Sequence, residues 1–215
     1  MDVALDALTS KLDALAPSAG RTRVVAVDGP SGSGKTSLAA ELAERLGGVA
    51  VLHMDDLYPG WDGLQEAVPL LVGQVLEPLS EGRRAVYRRF DWVAGEYAEE
   101  HEVDPSPVLV VEGVGSGARA CAPHLAAVVW VEAPLALRFA RGIARDGEGY
   151  RPHWERWARQ EDEHFALEGT RDRADVLVDT SQPGVWRLVD RTQEAAATAF
   201  GCRRGSSSAG GQRLS

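Results

Sequence analysis

The chain has 215 residues, enough for one domain of ordinary size, and 44% of them are apolar, so a sizeable core can form. Its formal net charge of −9 argues against a protein that binds duplex nucleic acid, because phosphate contacts need a basic surface. Two cysteines are too few for a multi-disulfide framework or a Cys-rich zinc module. The apolar runs are too short to span a bilayer, and the acidic first residues lack the layout of a signal peptide. We therefore expect a soluble, cytoplasmic α/β protein.

The first predicted element is an amphipathic helix within residues 1–20. Its leucines recur at three- and four-residue spacing, and Pro17 follows them: Leu5, Leu8, Leu12 and Leu15. Such a leucine stripe fits equally well against the chain's own domain or against a partner subunit. A homodimer is therefore one of two interpretations.

Five uninterrupted apolar runs follow, each typical of a strand buried on both faces of a parallel sheet. They cover residues 24–27, 49–52, 108–111, 128–131 and 174–178. The segments between them have helical spacing at 38–46, at 64–79 with breaks at Pro69 and Pro78, from Pro134 towards Asp146, from Pro152 onwards, and near 185–197. Residues 85–104 are predicted to form an irregular or hairpin insertion. This alternation predicts an α/β fold with a doubly wound, five-stranded parallel sheet.

A glycine-rich segment, residues 29–36, directly follows the first predicted strand and matches the phosphate-loop pattern G-x-x-x-x-G-K-[ST]. Its glycines allow successive backbone N–H groups to face phosphate oxygens, and the next helix adds positive potential. Lys35 can reach the terminal phosphates, and the Thr36 hydroxyl can ligate Mg²⁺. The segment therefore predicts nucleoside triphosphate binding through Gly29, Ser31, Gly32, Ser33, Gly34, Lys35, Thr36 and Ser37.

Two acidic residues follow strands whose carboxyl ends converge on this loop. Asp55 can accept a proton from an attacking hydroxyl or hold Mg²⁺, and Glu112 can hold the metal. Each acid has a purely structural alternative, as a cap of the next helix or turn. Asparagine is absent, so the N-K-x-D sequence by which GTPases bind guanine is excluded.

Arginines on the helix after the fourth strand form a candidate lid. Arg138, Arg141 and Arg145 have the spacing of one helix face, so together they can clamp a transferring phosphoryl group. The alternative is a solvated basic face paired with Glu148 and Glu155. For the aromatic residues of the next helix, Trp154, Trp157 and Phe165, we expect core packing beneath the lid for at least two.

Together these segments resemble the uridine kinase and nicotinamide riboside kinase group of P-loop kinases. The resemblance rests on residues 28–36, 54–58, 111–113, 138–146 and 173–178, and it covers most of residues 22–180. It implies an ATP- and Mg²⁺-dependent phosphotransferase that acts on a hydroxyl of a small molecule, a nucleoside or nucleoside-like riboside. In domain terms it implies a P-loop kinase domain over residues 21–200, with an acceptor-binding insertion at about 56–105 and a lid at about 138–160. A disordered tail at 201–215 would follow.

The resemblance also implies roles for single residues. Catalysis is assigned to Lys35, Asp55 and Arg141, and metal binding to Thr36, Asp55 and Glu112. Arg138 and Arg145 join the phosphate loop in binding ATP. The acceptor is assigned to Asp55, Tyr58, Asp91, Trp92 and Arg138.

Three departures from the family pattern bear on the substrate. Gly142 stands where the family lid has a second arginine, the lid after Asp146 is short, and only Tyr97 and His101 could replace the pair that binds the pyrimidine edge. These departures weigh against uracil or cytosine specificity. Two alternatives stay open. One is a nucleotide or sugar-acid kinase that uses Arg83, Arg84, Arg88 and Arg89, and the other is a non-catalytic ATP-binding regulatory module.

Overall fold

The computed structural model describes residues 3–182 and 184–190. Its helices are α1 (Val3–Asp13), α2 (Lys35–Arg45), α3 (Leu64–Leu71), α4 (Glu77–Ser80), α5 (Leu135–Asp146), α6 (Arg151–Glu168) and α7 (Thr170–Arg173). Its strands are β1 (Arg23–Asp28), β2 (Ala50–His53), β3 (Ala85–Asp91), β4 (Glu96–Val103), β5 (Val108–Glu112), β6 (Ala127–Glu132), β7 (Val176–Asp179) and β8 (Arg187–Asp190). Within the described residues, no helix is long and apolar enough to cross a membrane.

A six-stranded sheet forms the centre of the fold, in the order β2-β5-β1-β6-β7-β8. The first five of these strands pair in parallel and correspond to the five predicted apolar runs. Strand β1 is therefore flanked by β5 and β6, and its carboxyl end lies at the middle of the sheet edge. The predicted α/β fold with a doubly wound parallel sheet is confirmed.

The sixth strand corrects the prediction of a helix near residues 185–197. Residues 187–190 pair antiparallel with β7 as an edge strand, and residues 191–197 lie outside the described part of the chain, as does the predicted tail. The side chains here alternate, with Leu188 packed against the core and Val189 exposed. That period of two is typical of a strand with one buried face.

Helices cover both faces of the sheet. On one face α1 and α2 pack on the strands, and the buried α1 residues are Leu5, Leu8 and Leu12. The leucine stripe therefore docks on its own domain. The second face is covered by the segment from α3 to α4 and by part of α6.

The expected breaks at Pro69 and Pro78 do not occur, because the helical path continues from Leu64 to Ser80. Pro69 lies inside α3, and a five-residue π-helical turn, Val72–Leu76, follows it. Pro78 stands in the first turn of α4 and so delimits α4 from the π-helical turn before it.

Strands β3 and β4 form the predicted hairpin, which is a separate two-stranded sheet. Three side chains fasten it to the segment after β2. Trp92 Nε1 donates to the Asp55 carbonyl (2.9 Å), the Tyr97 hydroxyl donates to the Leu57 carbonyl (3.0 Å), and the Tyr87 hydroxyl donates to Asp56 (3.2 Å). The hairpin turn is thereby held beside Asp55.

Candidate active site

The phosphate loop connects the end of β1 to the start of α2. Gly29, Gly32 and Gly34 have φ values of 141°, 73° and 100°, which residues with a Cβ rarely adopt. At Gly32 an added Cβ would lie 2.2 Å from the carbonyl oxygen of Arg138, so the loop and α5 touch through backbone. The Lys35 ammonium folds back and donates to the Pro30 carbonyl (3.2 Å). The loop thus has the glycine-dependent backbone turn that the motif predicts, and two of its N–H groups bond within the protein, Ser31 to Glu161 (2.8 Å) and Ser33 to the Pro30 carbonyl (3.2 Å).

Asp28, at the end of β1, fixes the base of this loop. Its buried carboxylate accepts N–H bonds from Gly29 (2.6 Å), Gly117 (2.9 Å) and Gly115 (3.2 Å). Burial raises the pKa of Asp28 to about 6, against the opposing effect of these N–H groups and of Lys35. The residue thus ties the phosphate loop to the loop after β5. Its signal in the sequence was an acid closing an otherwise apolar strand, to which no role was assigned.

Glu112 lies at the end of β5 and faces the start of α2. Its Oε1 accepts from the Thr36 hydroxyl (3.2 Å), and its Oε2 lies 2.7 Å from His53 Nδ1. Burial acts to raise the pKa of Glu112, but His53, Lys35 and Thr36 together hold it below its ordinary value. The hydrogen bond with Glu112 in turn raises the pKa of His53.

No role was predicted for His53 from the sequence. Its signal was positional, since His53 and Glu112 end neighbouring parallel strands and stand opposite each other in register. A histidine at this position can orient the carboxylate of Glu112 towards Thr36.

Asp55 follows β2, on a short turn at the same edge of the sheet. Its side chain is exposed and opens onto a cavity. Desolvation by the neighbouring atoms raises the pKa of Asp55, and the charge of Glu112 adds to the rise, while Lys35 and Arg145 act against it. A carboxylate with such neighbours is a candidate for proton transfer.

The cavity has a volume of about 690 Å³, within the usual range of small-molecule sites. Many of the predicted site residues line it: Ser31, Gly32, Gly34, Lys35, Thr36, Ser37, Asp55, Tyr58, Trp92, Glu112, Arg141 and Arg145. Gly29 and Ser33 are not among its lining residues, and the Ser33 carbonyl instead accepts from the Thr180 hydroxyl (2.6 Å). The structure thus brings the phosphate loop, both acids and two lid arginines to one space.

Four aromatic side chains, called the aromatic wall below, also line the cavity: Tyr58, Trp61, Trp92 and Trp157. Tyr58 and Trp157 meet edge to face at 4.8 Å, and Trp61 lies 4.9 Å from Trp92. Trp61 also stacks on His153 at 4.2 Å. Trp61 was missed by the sequence analysis. Of the aromatic residues expected beneath the lid, Trp154 packs on Phe139 and Phe165 on Trp130, while Trp157 faces the cavity.

The lid arginines divide into two groups. Arg141 donates to the hydroxyl (2.9 Å) and the carbonyl (2.8 Å) of Thr180, and Arg145 pairs with Asp146 (2.7 Å). Both line the cavity. Arg138 lies behind the phosphate loop, where its Nη1 donates to the Ser31 carbonyl (3.3 Å), so its expected contacts with ATP and acceptor are not set up here.

Asp91 also lies apart from the cavity lining. Its Oδ1 accepts the N–H groups of Val93 and Ala94 (2.9 Å each), and it pairs with Arg89 (3.2 Å). These backbone bonds, with Arg89, lower the pKa of Asp91. The carboxylate thus stabilises the hairpin turn, a common use of aspartate that competes with ligand binding.

The segment after β7 contributes an unexpected wall next to Gly34. Gln182, Val185 and Trp186 line the cavity there. They were not predicted as site residues, because the segment near residues 185–197 was expected to be a helix. Nothing in the local sequence marks Trp186 as a residue that lines the cavity.

Oxygen ligands for a divalent cation are available beside the loop. Among the described residues no three His, Cys, Asp or Glu side chains converge as a metal-binding group. Thr36 and Glu112 are in contact and Asp55 lines the same cavity, which gives one hydroxyl and two carboxylates. This hard, partial donor set fits Mg²⁺, which usually takes one or two carboxylates and completes its shell with phosphates and water.

Comparison with known proteins adds independent evidence. No protein-family model matches the chain. A structure described as a possible uridine kinase from Bacillus stearothermophilus superposes with a TM-score of 0.61 and 25% identity, over 80% of this chain and 96% of that one. A second, described as a fructose transport system kinase from Silicibacter sp. TM1040, gives 0.53 and 24% over 79% and 94%, and supports the fold alone.

The chain has the fold of the uridine kinase-like P-loop kinases. The resemblance predicted from the motifs is thereby confirmed. The similarity to the possible uridine kinase supports a kinase-type function on a nucleotide-binding P-loop fold.

A curated sequence relative points the same way over a shorter span. The bifunctional pantoate ligase/cytidylate kinase of Gloeobacter violaceus is 32% identical over 108 residues, 45% of this chain. The matched chain spans about a fifth of that relative, 20% of its length.

Proposed function

We propose that this protein transfers the γ-phosphoryl group of ATP, with Mg²⁺, to a hydroxyl of a small nucleoside-like acceptor. The observation that carries the proposal is that Asp55, the phosphate loop and the aromatic wall line one cavity. A kinase needs this arrangement, because the acceptor hydroxyl must meet the terminal phosphate in line.

The donor end of the cavity is suited to a triphosphate. Backbone N–H groups of the loop and the start of α2 bind phosphate oxygens, and the Lys35 ammonium leaves the Pro30 carbonyl to reach the terminal phosphates. Arg141 and Arg145 are within the same space and can neutralise charge that spreads over the transferring group.

Thr36, Asp55 and Glu112 would hold Mg²⁺, with His53 orienting Glu112. When bound, this ion neutralises charge on the β- and γ-phosphates.

The chemical step follows from the position of Asp55. The acceptor oxygen forms a bond to the γ-phosphorus while the bond from that phosphorus to the β–γ bridging oxygen breaks, and ADP leaves. The proton of the acceptor hydroxyl passes to the Asp55 carboxylate. Asp55 is suited to this transfer because its carboxylate lines the same cavity as the phosphate loop, within reach of an acceptor bound there.

The aromatic wall favours an acceptor with a planar ring. Four aromatic side chains bound this end of the cavity, and such rings stack on a nucleobase or a similar heterocycle at little entropic cost. The similarity to a protein described as a possible uridine kinase supports the same class of acceptor.

A phosphorylated or carboxylated acceptor has less support. The four arginines proposed for it pair within the hairpin region: Arg83 with Glu81, Arg84 with Glu102 and Asp104, Arg88 with backbone carbonyls of Tyr97 and Ala98, and Arg89 with Glu99 and Asp91. Among the described residues, none of the four lines the cavity.

An acceptor screen tests the proposal. Nucleosides, ribosides, sugar acids and vitamins are incubated with ATP and Mg²⁺, and ADP release is followed, with Lys35→Ala as the blank. We expect ADP release that depends on one acceptor class, is lost in Lys35→Ala and falls at least a hundredfold in Asp55→Asn, the usual scale of general-base loss. ATP binding without turnover across the panel would instead support the non-catalytic regulatory module.

A further inference from the structure

A buried glutamate of α6, Glu161, contacts two residues that line the cavity, one in the phosphate loop and one in the aromatic wall. Its side chain is only 3% exposed. The same oxygen, Oε1, accepts the backbone N–H of Ser31 in the phosphate loop (2.8 Å) and the indole N–H of Trp157 in the aromatic wall (2.9 Å). A single carboxylate atom therefore joins the donor side to the acceptor side.

Arg138 completes the arrangement from the other lid helix. Its Nη1 donates to the Ser31 carbonyl (3.3 Å) and lies 3.8 Å from Glu161 Oε2. The Ser31 residue is thus held through its N–H by α6 and through its carbonyl by α5. Helix α5 also meets the loop at Gly32, where no Cβ fits.

The charge of Glu161 makes this contact unexpected at a phosphate site. A carboxylate beside the loop repels the phosphates that the loop is built to bind. Burial also raises the pKa of Glu161, while Lys35 and the Ser31 N–H act against the rise. Burial of this carboxylate costs desolvation free energy and does not by itself stabilise the fold. Its role is therefore sought in the two groups that it holds in place, the Ser31 N–H and the Trp157 indole N–H.

We propose that Glu161 is a positioning residue that couples the acceptor wall to the phosphate loop, through its shared hydrogen bonds to Trp157 and Ser31. This inference rests on the proposed function, because it takes the loop to bind a triphosphate. Movement of Trp157 when the acceptor binds is then transmitted to the Ser31 peptide, and the loop holds the triphosphate best while the link is intact.

Binding of adenylyl imidodiphosphate with Mg²⁺, measured by calorimetry, tests the proposal without turnover. Glu161→Gln keeps an oxygen acceptor but loses the charge and turns its amide N–H₂ towards Arg138. We expect about tenfold weaker binding, or about 1.4 kcal/mol, because a charge-assisted anchor of Ser31 is lost. If Glu161 has no positioning role, Glu161→Gln should bind the analogue as tightly as the wild type or more tightly, because the repulsion between the carboxylate and the phosphates is removed.

Trp157→Phe tests the link itself, because it keeps an aromatic ring in the wall and removes the indole N–H, together with part of the ring system; its melting temperature reports the packing loss. We expect about threefold weaker binding of the analogue, and no further loss when it is combined with Glu161→Gln. Unchanged affinity in Trp157→Phe, or fully additive losses, overturns the coupling.

Glu163→Gln is the matched control, because Glu163 is exposed on the same helix and loses the same charge. We expect its affinity and melting temperature to equal those of the wild type. Melting temperatures of the other variants separate a positioning effect from loss of folded protein. Wild-type protein that does not bind the analogue overturns the proposed function itself, whereas binding that is insensitive to Glu161→Gln overturns this inference alone.

Discussion

Single residues at the base of the phosphate loop carry much of its geometry. Asp28 is buried beneath three glycine N–H groups, and its pKa of about 6 lies above the value of 3.8 for a free aspartate. Between about pH 4 and pH 6, Asp28 therefore keeps its proton in the folded protein but has lost it in the unfolded chain. Stability from this group is greatest below about pH 4 and falls as the pH rises to about 6.

The first prediction concerns this pH dependence. Between pH 4 and 6, the free energy of unfolding of the wild type should fall by about 2 kcal/mol relative to Asp28→Asn, because the amide cannot ionise. The variant is expected to be less stable overall at low pH, since its N–H₂ faces a glycine N–H. Urea unfolding at several pH values gives the difference. Parallel curves for the two proteins would show that Asp28 does not titrate in this window.

Gly32 provides a second prediction at the same scale. Gly32→Ala places a Cβ against the Arg138 backbone at a positive φ, so we expect ATP analogue affinity to fall at least tenfold as α5 is displaced. Gly73, in the π-helical turn, has no atom within 4 Å of an added Cβ. Gly73→Ala should leave affinity unchanged and stabilise the protein by about 0.5–1 kcal/mol. Equal affinity in both variants would contradict the close approach.

The hairpin shows how an element outside the central sheet shapes the site. It is fastened to the segment after β2 by three side chains, of which Trp92 contacts the backbone of Asp55. Since the hydrogen bond holds the carbonyl of Asp55 rather than its carboxylate, its loss should loosen the acceptor end more than the chemical step.

The third prediction follows from that contact. Trp92→Phe should raise the KM for the acceptor about three- to tenfold with kcat changed less than threefold, because one neutral hydrogen bond is lost. Val93→Ala is the matched control, since Val93 is 98% exposed at the same turn. Steady-state kinetics with the acceptor found in the screen provides the measurement. A fall in kcat with unchanged KM would assign Trp92 to the chemical step instead.

At the scale of the whole molecule, α1 belongs to the core of its own domain. Leu12 is fully buried, so Leu12→Ala should lower the free energy of unfolding by about 2–5 kcal/mol, while the exposed Val3→Ala should not change it. We expect the unfolding midpoint of Leu12→Ala to be independent of protein concentration. A midpoint that rises with concentration would indicate that α1 also contributes to a subunit interface.

Sequence patterns predicted the parallel sheet and the phosphate loop because both depend on local signals. Apolar runs marked five strands, and the spacing of Gly29 to Thr36 marked the loop. The edge strand β8 was missed because Arg187 and Asp190 flank only two apolar residues, so it lacks the apolar run that marked the other strands.

The remaining site residues depend on contacts between distant segments. Glu161 and His53 acquire their roles from partners 130 and 59 positions away along the chain, Ser31 and Glu112 respectively. Asp91 had a sequence signal, but its carboxylate is occupied by its own turn. The spacing of residues along the chain cannot tell a side chain that reaches the cavity from one that bonds within its own turn.

The isolation of the β3–β4 hairpin has one further consequence. Its two strands hydrogen-bond to each other and not to the central sheet, so residues 85–103 can change in sequence without shifting the register of the strands that carry the phosphate loop. If the proposed function holds, exchange of this hairpin between related proteins is expected to change the cavity at Trp92 more than the phosphate loop.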